Sequence, residues 1–208
     1  MLRDPVSMMY SFHAQHLFNG SSENIQDFET ALNLESKRKL GQNIPKKCHE
    51  PQILYYREFA SYTDQVQRYL ETFRKEQVKV ILFEDFTQKT EDVFQDILQF
   101  IGAEPEFRTE LLPINSNKKV RSTLLQSLIK YPPSKVLEIG KYLIPIPQSW
   151  RRSALENLKA FLKKLNTQKT PRPPLNSQLR ERLTREFEPE IKRLEKLICR
   201  DLSTWYSK

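Results

Sequence analysis

The sequence is poor in the residues that build tight phosphate loops and metal clusters. It has four glycines in 208 residues, and Gly20, Gly41, Gly102 and Gly140 are scattered. That argues against a glycine-rich phosphate loop of the GxxxxGK[ST] kind within this chain. Its two cysteines, Cys48 and Cys199, belong to no CxxC pair. A zinc finger and a disulfide framework are disfavoured, and two free thiols in a reducing compartment are expected. Arg3-Asp4-Pro5 follows Met1-Leu2 at once, so no signal peptide is readable and a cytoplasmic location is expected. The longest strongly apolar run, Val78 to Phe83, is far too short to span a bilayer.

What remains has a soluble globular balance, with 38% hydrophobic and 29% charged residues. The length suffices for one domain with a real core. Net charge is +8, and it is unevenly placed. Residues 118–169 hold twelve Lys and Arg against two acids, Glu138 and Glu156, for +10, while the rest of the chain sums to −2. Such a surface should attract an anion: a nucleotide, nucleic acid, sulfated glycan or acidic membrane. Charge alone does not choose among them, and a solvated face without a ligand is the plain alternative.

Helical spacing dominates. Pro5 fits the start of a helix that carries Met9, Phe12 and Leu17 and ends near Asn19-Gly20. Ser21 or Ser22 is expected to cap a second helix with Phe28, Ala31 and Leu32 on its buried face. Gln42 to Pro51 reads as a loop, and Tyr62, Val66, Tyr69, Leu70 and Phe73 as a helix. Val78 to Phe83 reads as a buried strand, followed by Glu84-Asp85 and a helix from Thr90 to Gly102. Further helices are expected around Leu124–Ile129 and Leu155–Leu165, each in the basic region. Residues 166–176 form a proline-rich linker to C-terminal helices, with Pro189 restarting the last one.

The sharpest feature is Arg3-Asp4-Pro5-Val6-Ser7-Met8-Met9-Tyr10-Ser11. A guanidinium gives bidentate, charge-assisted bonds to a phosphate, and a hydroxyl eight residues on adds a directed donor. Phe28-Glu29-Thr30-Ala31 with Glu35 and Arg38, the stretch Tyr62 to Phe86, Phe100-Ile101-Gly102, Arg172-Pro173-Pro174, and Arg200 to Trp205 follow in order. This colinear set resembles the bacterial sulfotransferases that use 3′-phosphoadenosine 5′-phosphosulfate (PAPS). The resemblance implies an α/β, P-loop-NTPase-like sulfotransferase fold. Here it should be truncated and predominantly helical, with a small incomplete parallel sheet, in one partial domain over residues 1–208.

The same resemblance implies that Arg3 and Ser11 hold the nucleotide's 3′-phosphate. It places Lys118, Lys119 and Arg121 in a basic loop closing over it, although a solvated basic loop is an equal alternative. In that family the 5′-phosphosulfate loop and the usual general base precede the Arg strand. Catalytic groups are therefore expected upstream of Met1, and these residues alone should be inactive. Met8 stands where many relatives carry a second Arg.

The implied reaction moves a sulfuryl group from PAPS to a hydroxyl or amine of a small-molecule or glycan acceptor, a carbohydrate among them, without a metal. No nucleic acid partner is expected. The alternatives are a basic helical binding module for nucleic acid or other polyanions, and an inactive sulfotransferase remnant. His13 and His16 have the i, i+3 spacing of a metal pair but read as two ordinary surface histidines. Glu84 and Asp85 read as helix-capping acids, with a catalytic role as the lesser option.

Overall fold

Pro5 opens α1 (Pro5–Asn19), where its missing N–H costs nothing, and the Asp4 side chain caps it by accepting the Val6 N–H at 3.1 Å. Gly20 closes it in the left-handed conformation (φ 67°), its N–H donating to the His16 and Leu17 carbonyls. The computed structural model to which these elements belong describes residues 1–20, 22–104, 118–130, 132 and 148–207. Its further elements are α2 (Phe28–Asn33), α3 (Glu35–Lys39), α4 (Tyr56–Ala60), α5 (Thr63–Thr72), α6 (Phe83–Gln88) and α7 (Thr90–Phe100). Then come β1 (Lys118–Val120), α8 (Thr123–Lys130), α9 (Gln148–Asn166), β2 (Thr167–Lys169) and α10 (Ser177–Ile198). The helical expectation holds across the described residues.

The core forms where α10 crosses α1 and α5. Leu179, Leu183, Phe187, Ile191 and Leu194 repeat every three or four residues along α10 and are all buried. They join Val6 and Met9 of α1, Phe28, Ala31 and Leu32 of α2, Tyr56 of α4 and Trp205 near the end of the chain. The same stripe explains one difference from expectation. Pro189 lies inside a continuous helix rather than restarting one. Proline withdraws one ladder hydrogen bond, but Phe187 and Ile191 on either side of it are held in the core.

The expected strand differs too. Val78 to Phe83 is extended only in part. Leu82 forms a parallel bridge with Leu2, the Leu2 N–H donating to the Ile81 carbonyl and the Phe83 N–H to the Leu2 carbonyl, both at 2.7 Å. Phe83 already belongs to α6. Among the described residues the parallel sheet therefore reduces to this one bridge, because the partner segment supplies one paired residue. The other sheet pairs β1 with β2 antiparallel, Lys118 opposite Lys169 and Val120 opposite Thr167.

The second helix begins later than expected. Asp27 caps α2 by accepting the Thr30 N–H and hydroxyl, each at 2.7 Å, rather than a serine capping it upstream. The reason lies in Glu23, which turns inward. Its carboxylate takes two bonds from Arg38, at 2.7 and 2.8 Å, one from the Tyr56 hydroxyl at 2.7 Å, and the Asn24 and Ile25 N–H groups. Both charged side chains are fully buried. Burial alone would raise the Glu23 carboxyl, but these donors hold it below its ordinary range. Burial opposes the charge on Arg38 as well, and its bonds to Glu23 outweigh that.

His13 and His16 are not surface residues: they are 2% and 6% exposed. His13 Nε2 sits 2.9 Å from the Ile25 carbonyl, whereas neither ring nitrogen of His16 has a hydrogen-bond partner. Burial holds both imidazoles below their ordinary range, and His13 lowers His16 further. Unfolded imidazoles take up protons below about pH 6.5, while these remain neutral to lower pH. Stability is therefore expected to fall as pH drops from about 6.5, and Glu23 adds a later loss as its depressed carboxyl is finally protonated. Urea midpoints between about pH 7 and pH 5 would show this, with a shallower slope in His16→Phe. A midpoint independent of pH over that range would contradict it.

Candidate functional site

Arg3 lies at the carboxyl end of the Leu2–Leu82 bridge, immediately before α1. Its guanidinium carbon is 4.5 Å from the centre of the Phe83 ring. The neighbouring acid is already engaged. Asp4 accepts the Val6 N–H, the Ser7 hydroxyl at 2.6 Å and the Arg180 guanidinium at 3.4 Å. No carboxylate among the described residues pairs with Arg3.

Ser7 and Ser11 share a face of α1, four residues apart, and α10 and the segment before it lie along that face. Arg180 reaches Ser7 at 3.5 Å, and Arg172 donates to the Ser11 hydroxyl at 3.2 Å. Arg172 also stacks 5.2 Å from the Tyr10 ring, whose hydroxyl donates to the Pro173 carbonyl at 3.0 Å. The chain thus folds Arg172 back across 161 positions onto the motif that carries Arg3 and Ser11. Burial lowers the Arg172 guanidinium, and the nearby positive charge of Arg3 lowers it further, Tyr10 opposing. Two guanidinium groups thus lie within electrostatic reach of each other, and one of them donates to the Ser11 hydroxyl on α1.

Sequence reasoning did not place Arg172 beside Ser11. Its one signal was the Arg-Pro-Pro triplet, whose prolines fix the backbone that presents it. Two further polar groups lie within electrostatic reach of one another near Arg3: Tyr62, which sequence reasoning read only as a helix residue, and Glu84, which it read as a capping acid. The Tyr62 hydroxyl and Glu84 Oε2 are buried without a hydrogen-bond partner. Burial raises the Tyr62 phenol, with Asp4 and Glu84 adding to the rise and Arg3 opposing it. Tyr62 also lines a groove of about 570 Å³ with Leu2, Val66, Val78, Val80 and Phe100. Glu84 and Asp85 stand in the first turn of α6, and Asp85 accepts from Arg200 at 2.8 Å.

Of the basic loop, Asn115 to Asn117 lie outside the described residues. The backbones of Lys118 and Lys119 form β1 rather than a loop, and their side chains are likewise outside the description. Arg121 is exposed and makes no hydrogen bond to Ser11 or Tyr10; its N–H donates to the Asn166 carbonyl at 2.8 Å. The structure therefore joins Ser11 with Arg172 and places Arg3 within electrostatic reach of Arg172, and the basic hairpin leads to Arg172 through β2, which ends three residues before it. Met8 packs against the core. Among the described residues no group of three or more His, Cys, Asp or Glu side chains is placed to hold a metal.

The profile of the sulfotransferase domain matches residues 1–143. The chain belongs to the sulfotransferase family. A crystal structure of a sulfotransferase from Alicyclobacillus acidocaldarius is similar to it, with a TM-score of 0.59 and 29% sequence identity. That similarity covers 99% of this chain and 55% of the other, so the chain spans about half the length of that relative. Among curated proteins none matches.

Proposed function

We propose that Arg3, Ser11 and Arg172 bind the 3′-phosphate of PAPS, or of its product adenosine 3′,5′-bisphosphate, within a sulfotransferase. The observation that carries this is the hydrogen bond from Arg172 to Ser11, with Arg3 in electrostatic reach of Arg172 and Asp4 committed elsewhere. The residues present fit the group. A phosphate would accept charge-assisted hydrogen bonds from the guanidinium groups of Arg3 and Arg172 and a further one from the Ser11 hydroxyl. Arg121, and Lys118 and Lys119 beside it in β1, would add longer-range attraction for the nucleotide.

The donor supplies a sulfuryl group: the acceptor oxygen or nitrogen bonds to sulfur as the sulfur–oxygen bond to the 5′-phosphate breaks, and the acceptor proton passes to a base. Arg3, Ser11 and Arg172 take no part in that bond exchange. They orient the donor and hold it against its remote phosphate, which is binding energy used for positioning. The acceptor is a hydroxyl or amine compound, a carbohydrate being one candidate. We place the 5′-phosphosulfate donors and the general base outside these 208 residues.

Two measurements test this reading. Calorimetry should show adenosine 3′,5′-bisphosphate binding more tightly than AMP, since only the former carries the 3′-phosphate; equal affinities would remove the site assignment. Assays with labelled PAPS and a panel of glycan, phenol and amine acceptors should show no turnover by the 208-residue chain and turnover by an upstream-extended protein. Turnover by the shorter chain would move the general base into it, and Glu84, with its buried unpartnered oxygen, would be the first residue to replace. A nucleic-acid module would instead bind many sequences with a steep loss of affinity in salt.

A further inference from the structure

The excess positive charge coincides with an apolar surface. α8 and α9 pack on each other and are tied to the C-terminal end of α1. Gln126 donates to the Phe18 carbonyl at 3.2 Å, and Lys130 to the Asn19 carbonyl at 3.1 Å. This is the opposite end of α1 from Arg3. The apolar stripe of α10 is buried along its length. Here the stripes are exposed: Leu124 and Leu128 on α8, and Leu155, Leu158, Phe161 and Leu165 on α9, are between 44% and 79% accessible.

At 100° per residue the four α9 side chains fall on one side of the helix, with Arg152, Lys159 and Lys163 along one edge of the stripe. The single acid of α9, Glu156, is paired with Lys159 at 3.0 Å. A long apolar stripe bordered by lysine and arginine is the pattern of a helix lying in a membrane interface. No helix among the described residues is long and apolar enough to cross a membrane.

We propose that the α8–α9 face docks on an anionic lipid surface, its leucine and phenylalanine side chains entering the headgroup boundary and its basic residues meeting lipid phosphates. Charge complementarity selects this occupant. The described side chains of α8 and α9 bring Lys130, Arg152, Lys159, Lys163 and Lys164 against the one acid Glu156, so a second copy of the same face would be repelled. Nucleic acid would satisfy the charge and leave the apolar stripe in water. An anionic lipid surface satisfies both, over a continuous area. The docking does not depend on the nucleotide site.

The test is flotation of the 208-residue protein with vesicles of phosphatidylcholine alone and of phosphatidylcholine mixed with phosphatidylglycerol. Binding is expected to the mixed vesicles and not to the neutral ones. Phe161→Asp and, separately, Leu158→Asp should each weaken it on the order of tenfold. Lys159→Glu with Lys163→Glu should weaken it roughly fivefold per lysine. These side chains are exposed or half-buried, so circular dichroism should be unchanged, and adenosine 3′,5′-bisphosphate should bind each variant as before. Absence of binding to the mixed vesicles would overturn the proposal. So would binding that both aspartate variants retain, which is plain adhesion of charge. Self-association abolished by Phe161→Asp without vesicle binding would assign the face to a second copy instead.

Discussion

Replacing Arg38 by methionine is expected to cost about 3–5 kcal/mol of folding stability, a large part of what a domain of this size has. The loss comes less from the bond removed than from the charge left behind. Glu23 is sealed from water and receives two bonds from Arg38 and one from Tyr56. Without the guanidinium its carboxylate must stay buried unpaired or take a proton, and both are costly. The damage should also spread. Glu23 accepts the Asn24 and Ile25 N–H groups, and His13 contacts the Ile25 carbonyl, so loosening Glu23 releases the whole turn between α1 and α2. Chemical denaturation of Arg38→Met and Glu23→Gln should therefore both show large losses. The double replacement Glu23→Leu with Arg38→Met should recover part of the loss, since it leaves no buried charge. A double variant as unstable as the sum of the single ones would show that the pair contributes more than the cancellation of its own burial cost.

That network marks where sequence reading stops. The bounds of α1 were legible because proline and glycine act locally, Pro5 at the start and Gly20 at the end. Arg38 and Glu23 were not legible as a buried pair, because charged side chains are ordinarily solvent-exposed and fifteen residues separate these two. His13 and His16 went the same way: their spacing resembled a ligand pair or a wet helix face, and only the packing of α1 against α4 shows them enclosed. In Val78 to Phe83 the β-branched composition was real, yet a strand exists only against a partner, and here that partner is Leu2. α9 was read correctly as amphipathic. Periodicity finds an apolar face but does not say whether anything covers it. Of the candidate site, Arg3 and Ser11 were singled out by the resemblance of their eight-residue spacing to a family motif. The Arg172-Pro173-Pro174 triplet was visible too, but its pairing with Ser11 was not, because a contact across 161 positions leaves no local trace.

That long-range contact sets up the second large effect. Arg3→Ala is expected to weaken binding of adenosine 3′,5′-bisphosphate by about thirtyfold, the loss of a charged contact worth on the order of 2 kcal/mol. Arg172→Ala should cost a comparable factor. The two should differ in the free protein. Arg172 is partly buried, its positive charge is disfavoured first by that burial and then by Arg3, and it is held by Ser11 and stacked on Tyr10. Arg3 has only the Phe83 ring among the contacts described. Removing Arg3 therefore relieves a repulsion without breaking a hydrogen bond, and the unliganded protein should melt no lower than the parent. Removing Arg172 relieves the same repulsion but gives up its hydrogen bond and its stacking. The bound anion resolves the repulsion, so ligand should raise the melting point of the parent protein and raise it far less in either variant. The double variant should lose less than the product of the two single losses, because each single variant already forfeits the shared gain from relieving the repulsion and the double variant forfeits it only once. Thermal melts with and without the nucleotide, combined with calorimetry on the four proteins, measure every quantity needed. If Arg172→Ala leaves affinity unchanged while lowering the melting point, Arg172 is a strut holding residues 170–176 to α1, and the phosphate site contracts to Arg3 and Ser11. If Arg3→Ala destabilises the free protein and leaves affinity intact, Arg3 belongs to the fold, and the anion site must be sought along β1 and Arg121.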